Sequence, residues 1–225
     1  AWIEQAFTET NNVVQNQSHG IVCAAGSRPG ANNALSCTET GLLPNTQYTR
    51  HASAIDPQDT SDSPELSAFT LIEPLGPVVP LAVTPTSITV GAGNHLSNLG
   101  AGSSGVNFTE RATGASSGWI KQDLWTLSGL QPNTQYRFTA QARNGDGQET
   151  PTSAELAKFT LPLGAAVTAN HTVGTWYTTP EFVFANTVPW GSGGVQYYRY
   201  VWTTNSAHTF TGNEAMWSGN SLSLT

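Results

Sequence analysis

A chain of 225 residues with 8 Lys and Arg against 15 Asp and Glu carries a net charge of -7. That leaves too little clustered positive charge for a nucleic-acid partner. No apolar run approaches the roughly 20 residues that cross a bilayer, so no membrane span is expected in this segment. At 38% hydrophobic residues, with 22 Gly, 13 Pro and 7 Trp, the composition excludes a disordered chain and fits a neutral-surfaced, Thr- and Asn-rich β protein of the secreted kind. Ala1-Trp2-Ile3-Glu4 has neither an initiator Met nor a signal-peptide core, so the chain reads as a processed product or a piece of something longer.

In chain order, the first feature is the pair Cys23 and Cys37, the only cysteines. A turn at Ser27-Arg28-Pro29-Gly30 would bring them face to face in a symmetric hairpin. Two readings stand. One is a disulfide closing a loop of about 15 residues, worth about 3 kcal/mol and suited to an oxidising compartment; the other is a pair of buried thiols. Leu42-Leu43-Pro44-Asn45-Thr46-Gln47-Tyr48 then reads as a turn into a strand that runs on through Ala52 and Ala54. The following loop holds Asp56, Asp59 and Asp62. These are oxygen donors of the type that bind Ca²⁺, or simply solvated turn residues, and their spacing is not that of an EF-hand. Ser67-Ala68-Phe69-Thr70-Leu71 is the next strand, and Glu73-Pro74-Leu75-Gly76-Pro77 a short linker. Its prolines restrict φ and make it a semi-rigid spacer, so an extended array is expected.

These features return. Leu130-Gln131-Pro132-Asn133-Thr134-Gln135-Tyr136 repeats the turn motif 88 residues on, from Leu42 to Leu130, and Ala157-Lys158-Phe159-Thr160-Leu161 repeats the later strand. Such a period suits tandem β-sandwiches rather than solenoid units. Upstream, Gly20-Ile21-Val22-Cys23 matches Gly105-Val106-Asn107-Phe108, so Cys23 and Cys37 correspond to Phe108 and Trp125. Glu39 falls where the second copy has Leu127, which reads as a one-residue shift in alignment rather than a buried acid. Trp125, Leu127 and Leu130 face inward on one strand; Tyr136, Phe138, Ala140 and Ala142 alternate on the next. Asn144-Gly145-Asp146-Gly147 is a turn. No long stretch shows a capped helical period, and the fold class is all-β.

The two Leu-x-Pro-Asn-Thr-x-Tyr motifs, with the Phe-Thr-Leu strand after each, resemble fibronectin type III domains over 20–71 and 80–161. The resemblance implies a tyrosine corner in each copy, formed by Leu42, Pro44 and Tyr48 and by Leu130, Pro132 and Tyr136, the Tyr hydroxyl reaching back to the main chain. The core Trp that the family carries on its second strand is missing from Ser87-Ile88-Thr89-Val90-Gly91-Ala92-Gly93; Trp125 or Trp119 is expected to fill that volume. The Arg-Gly-Asp tripeptide of some relatives is also absent.

From Ala165 the composition changes. Eleven of the 21 aromatic residues lie in 165–225. Tyr198, Tyr200 and Trp202 alternate with Arg199 and Val201 and read as a central strand. The closing Trp217-Ser218 and Leu222 resemble Ig-like repeat modules of very large bacterial cell-surface proteins. A whole sandwich needs about seven strands, and four or five fit here, so this module is expected to be incomplete. Continuation of the chain past Thr225 is favoured over completion by another copy. The domains expected are 1–75, fibronectin type III-like with a short leading strand; 76–164, fibronectin type III-like; and 165–225, an Ig-like sandwich module.

No nucleotide-binding, nucleophile-elbow or zincin motif occurs, and the five His are dispersed, so no catalytic residue, metal or cofactor is assigned. The sequons at Asn16, Asn107 and Asn170 are what a chain rich in Asn, Ser and Thr produces by chance. Trp176, Tyr177 and Trp190 are candidates for stacking on a glycan, against the commoner role of aromatics in a core. The expectation is a non-enzymatic extracellular segment of a large modular surface protein, serving as spacer, adhesion element or part of a sheath, filament or surface layer. Its partners would be other copies or domains of the same surface assembly, or glycans. The alternatives are an accessory region of a secreted polysaccharide-degrading enzyme and a soluble glycan-binding module.

Overall fold

The computed structural model describes residues 3–9, 20–23, 37–55, 60–62, 64–172, 175–176, 178, 182–186, 193–201, 203, 205, 207–218 and 221–224. Through these residues run β1 (Ile3–Glu9), β2 (Gly20–Cys23), β3 (Cys37–Thr40), β4 (Gln47–Ile55), β5 (Thr60–Asp62), β6 (Leu66–Phe69), β7 (Val79–Val83), β8 (Ser87–Gly91), β9 (Gly105–Glu110), β10 (Leu124–Ser128), β11 (Gln135–Arg143), β12 (Leu156–Phe159), β13 (Val167–Ala169), β14 (Phe182–Asn186), β15 (Tyr198–Tyr200), β16 (Ala215–Trp217) and β17 (Ser221–Leu224). Among the described residues there is no helix, and the protein is all-β.

Period-two alternation builds the second unit. In β11, Tyr136, Phe138, Ala140 and Ala142 are buried while Gln135 and Arg137 face out. Its sheet runs β12-β11-β9, and the facing sheet runs β10-β8-β7. Ile88 and Val90 from one sheet and Val106, Phe108 and Phe138 from the other are fully buried in a single core, which makes this unit a β-sandwich. Trp125 is half-buried and packs against this core, its ring edge-on to Phe138 at 6.3 Å. Trp119 instead lies under the Arg143 guanidinium, 4.4 Å away. Glu110, at the end of β9, is fully buried. Burial alone would raise its carboxyl, but hydrogen bonds from the Thr113 hydroxyl and the N–H groups of Thr113, Ala112 and Arg137 outweigh that and hold it below the ordinary carboxylate value.

The first unit reuses this plan with two departures from the sequence reading. β1, not β2, stands where β9 stands: Phe7 is opposite Ala52 as Phe108 is opposite Ala140. β2 pairs with β3, setting Cys23 across from Cys37 as Val90 is set across from Trp125. The expected match of 20–23 to 105–108 therefore does not hold. A short glycine-led apolar run looks alike whichever sheet it joins, and only pairing separates the cases.

The second departure concerns Glu39. No shift occurs, because Glu39 faces Ile21 as Leu127 faces Ile88. The acid is accommodated by Arg50, which occupies the place of Phe138 and donates through Nε at 3.0 Å and Nη2 at 2.7 Å. The side chains are only 20% and 18% exposed, and the Arg50 guanidinium also lies 4.9 Å from the Tyr48 ring. An ion pair has replaced an apolar pair.

In the third unit two sheets are described, β13-β14-β17 and β15-β16. Tyr198 packs at a tilt on Trp217, with ring centroids 6.1 Å apart, and Trp217 is buried. Among the described residues β15 has one strand partner, β16, where a central strand was expected, and its three residues are all half-buried. Trp202 lies outside the described residues.

Replacing Glu39 by Leu alone takes the two carboxylate bonds from the half-buried Arg50 charge. It should lower the urea midpoint of the first unit, at a cost of about 1–3 kcal/mol. Adding Arg50→Phe rebuilds the apolar pair of the second unit and should restore that midpoint.

Candidate functional site

The two turn motifs fold identically. Tyr48 accepts a hydrogen bond from the Leu43 N–H at 3.0 Å, and Tyr136 accepts one from the Gln131 N–H at 2.9 Å. In both, a threonine from the later strand closes the turn. Thr70 donates to the Leu43 carbonyl and accepts from the Thr46 N–H; Thr160 donates to the Gln131 carbonyl and accepts from the Thr134 N–H. Thr46 and Thr134 each donate to the carbonyl two residues back, on Pro44 and Pro132, at 2.9 Å. Leu42 is half-buried and Leu130 is buried beneath its corner. In each copy the hydroxyls of one tyrosine and one threonine close the turn onto the main chain.

At the apex of each sits an Asn in the left-handed region, Asn45 with φ 46 and Asn133 with φ 47. Asn tolerates that conformation better than other side chains with a Cβ. Its N–H bonds back to the Leu71 or Leu161 carbonyl, which turns the carboxamide away from its own unit.

The Asn45 carboxamide enters the loops of the second unit. Nδ2 donates to the Ser97 carbonyl at 2.8 Å and to the Asn98 carbonyl at 3.0 Å. Oδ1 accepts from the Ser104 hydroxyl at 3.0 Å and from the Gly145 N–H at 2.9 Å. Two donors and two lone pairs are all satisfied, at zero exposure. The network also fixes the amide's sense, since a flipped group would set its NH₂ against the Gly145 N–H. Asn98 returns a bond, donating to the Thr46 hydroxyl at 3.1 Å.

Around this contact the turn Asn144-Gly145-Asp146-Gly147 meets β6. Asn144, fully buried, accepts from the Gln148 N–H at 2.8 Å and donates to the Thr70 carbonyl at 3.1 Å. Asp146 accepts from the Phe69 N–H at 2.7 Å. The Phe69 ring lies so close over Gly145 that a Cβ there would stand 2.5 Å from it. The linker is bound as well. Ile72 and Val78 are buried in the second unit's core and Leu75 packs against it. The Glu73 carboxylate accepts from the Ser97 N–H at 3.0 Å and from its hydroxyl, and Asn94 donates to the Pro74 carbonyl at 3.1 Å. The linker is docked along its length, more than a Pro-rich spacer requires.

Of the other sequence candidates, Trp176 is fully exposed. Tyr177, Trp190, Asp56 and Asp59 lie outside the described residues. Asp62 ends β5 with its backbone opposite Ser53, and the side chains of Asp62, Cys23 and Cys37 also lie outside the description. Among the described residues no three His, Cys, Asp or Glu gather as a metal set. The sequence reading missed Asn45, Ser104, Glu73 and Asn144 as joint residues. The repeated Asn of the Pro-Asn-Thr turn was the one available signal.

No family model and no curated protein matches this chain. It is similar to several solved structures. The Yersinia enterocolitica family 28 exopolygalacturonase shares 17% identity over 42% of this chain and 21% of its own, with a TM-score of 0.34. The FN1–FN3 domains of chicken CNTN1 share 16% over 63% of this chain and 52% of theirs, with a TM-score of 0.31. A titin module from human cardiac muscle shares 25% over 38% of this chain and 88% of its own, with a TM-score of 0.29. The chain thus spans about a fifth of the first of these structures and about half of the second.

Asn45→Gly keeps the left-handed turn and removes only the carboxamide. It should cost about 2–4 kcal/mol, because buried partners lose their bonds, and hydrogen exchange should show the Gly145 amide unprotected while Ala140 and Ala142 stay protected. Asn45→Asp should be at least as damaging, since it sets an oxygen against the Ser97 and Asn98 carbonyls.

Proposed function

We propose that this chain is a stretch of a non-enzymatic, extracellular modular protein whose β-sandwich domains follow one another in fixed orientation as a spacer. The domains run 1–75, 76–164 and 165–225. The first two are of fibronectin type III kind and the third is an Ig-like module. The observation that carries this reading is the joint. A buried, fully bonded Asn45 and a docked linker hold two consecutive units in one geometry, and a chain of such units transmits position and force from end to end. Partners would be neighbouring domains or copies in a surface assembly, met through neutral Thr, Ser and Asn faces. Cys23 and Cys37, paired in backbone register, form a disulfide in this proposal, in keeping with an oxidising compartment.

The test is the tumbling of the full chain. ¹⁵N relaxation should give the first two units one rotational correlation time, and alkylation of the urea-unfolded chain without reductant should leave both cysteines unmodified. Independent tumbling of those two units would defeat the spacer reading.

One observation favours a second role, glycan contact: the Trp176 ring is entirely exposed, and bare indole faces stack on sugar rings. Affinity electrophoresis in soluble polysaccharides should show retardation that Trp176→Ala removes. Equal mobility of the two proteins in every gel would dispose of this role.

A further inference from the structure

The joint between the first and second units has a counterpart one repeat later. Asn133 lies at the apex of the second corner, with the φ of Asn45 and the same main-chain bond, its N–H donating to Leu161 as that of Asn45 donates to Leu71. Against it stands Gly193 of the third unit. The Gly193 N–H donates to the Asn133 carbonyl at 2.7 Å, and a Cβ on Gly193 would stand 2.5 Å from Asn133 Oδ1 and 2.9 Å from its carbonyl oxygen. At the first joint the Gly145 N–H donates to Asn45, and Gly145 likewise has no room for a Cβ, there because of Phe69. In both places a corner Asn accepts from the main-chain N–H of a glycine that the following unit presents bare, through its carboxamide oxygen at Gly145 and through its main-chain carbonyl at Gly193.

We propose that the corner Asn is a repeated head-to-tail latch, and that Asn133 seats the third unit through Gly193 as Asn45 seats the second through Gly145. The surface it recognises is a glycine main chain carried by the next domain of the same chain. A side chain on that glycine closes the seat, so Gly145 and Gly193 select which loops can follow. This rests on the serial-spacer reading and extends it to the second junction.

Neither Gly145 nor Gly193 has a positive φ, so alanine at either meets steric opposition from the joint and none from its own backbone. The experiment uses the full chain in weak alignment, with residual dipolar couplings fitted unit by unit. In the wild type all three units should share one alignment tensor. Gly193→Ala should give the third unit its own tensor while the first two keep a common one. Gly145→Ala should separate the first unit and leave the second and third together. Unchanged amide spectra for Phe108, Phe138 and Ala142 establish that the second unit remains folded.

A common tensor persisting in Gly193→Ala overturns the latch at the second junction. So does a third unit already independent in the wild type, with the first two still sharing a tensor; that outcome leaves the spacer reading standing at the first joint. Separation of the first two units in the wild type overturns the spacer reading and the latch together.

Discussion

A carboxamide can be removed from water only where each of its donors and acceptors finds a partner. Asn45 meets that condition with groups its own unit does not supply. Ser97, Asn98, Ser104 and Gly145 all belong to the second unit, so the group is satisfied only when the two units are seated together. The docked linker, the Phe69 ring over Gly145 and the Asn144 bridge to Thr70 all depend on that seating. The seat in turn depends on the corner, because the Tyr48 hydroxyl and Thr70 hold the turn that points Asn45 outward. A device that stabilises one sandwich also positions the next.

The two corner-bearing units keep that device and differ in the core beside it. Leu127 and Phe138 in one become Glu39 and Arg50 in the other. A half-buried ion pair offers little net stability over an apolar pair of similar size, because desolvation offsets most of the Coulomb attraction. The exchange is tolerated because both members changed and each carboxylate oxygen found a guanidinium nitrogen. The corner has no such freedom, since each of its hydroxyls closes a specific main-chain bond.

Those differences mark how much the residues alone could disclose. Alternation gave the faces of β11 and β10, and the repeated Pro-Asn-Thr turn gave both corners, because strands and turns are written in near neighbours. The partners of Asn45 are 52, 53, 59 and 100 residues away. No local pattern encodes such a meeting, so Asn45 read as a turn residue and nothing more. The place of β1 was hidden for a related reason: which strand a short apolar run joins is decided by its partner. Glu39 looked like an alignment error because its explanation, Arg50, lies on another strand.

A polar joint also answers a physical difficulty that an apolar one would raise. Two hydrophobic faces hold by area, slide with little penalty, and leave an exposed patch when pulled apart. Four directed hydrogen bonds to one carboxamide are lost together when the orientation changes by more than their angular tolerance, yet the separated groups bond readily to water. The expected result is a joint stiff in its seat and soluble when opened. Glycine at the contact sharpens this, because it brings no side chain of its own that could rearrange. The scarcity of charge along the chain belongs to the same logic: with only 23 charged residues, the joint is oriented by hydrogen bonds to amide, hydroxyl and main-chain groups. The carboxylates of Asp146 and Glu73 take part in it as acceptors from neutral donors rather than in ion pairs that salt would screen.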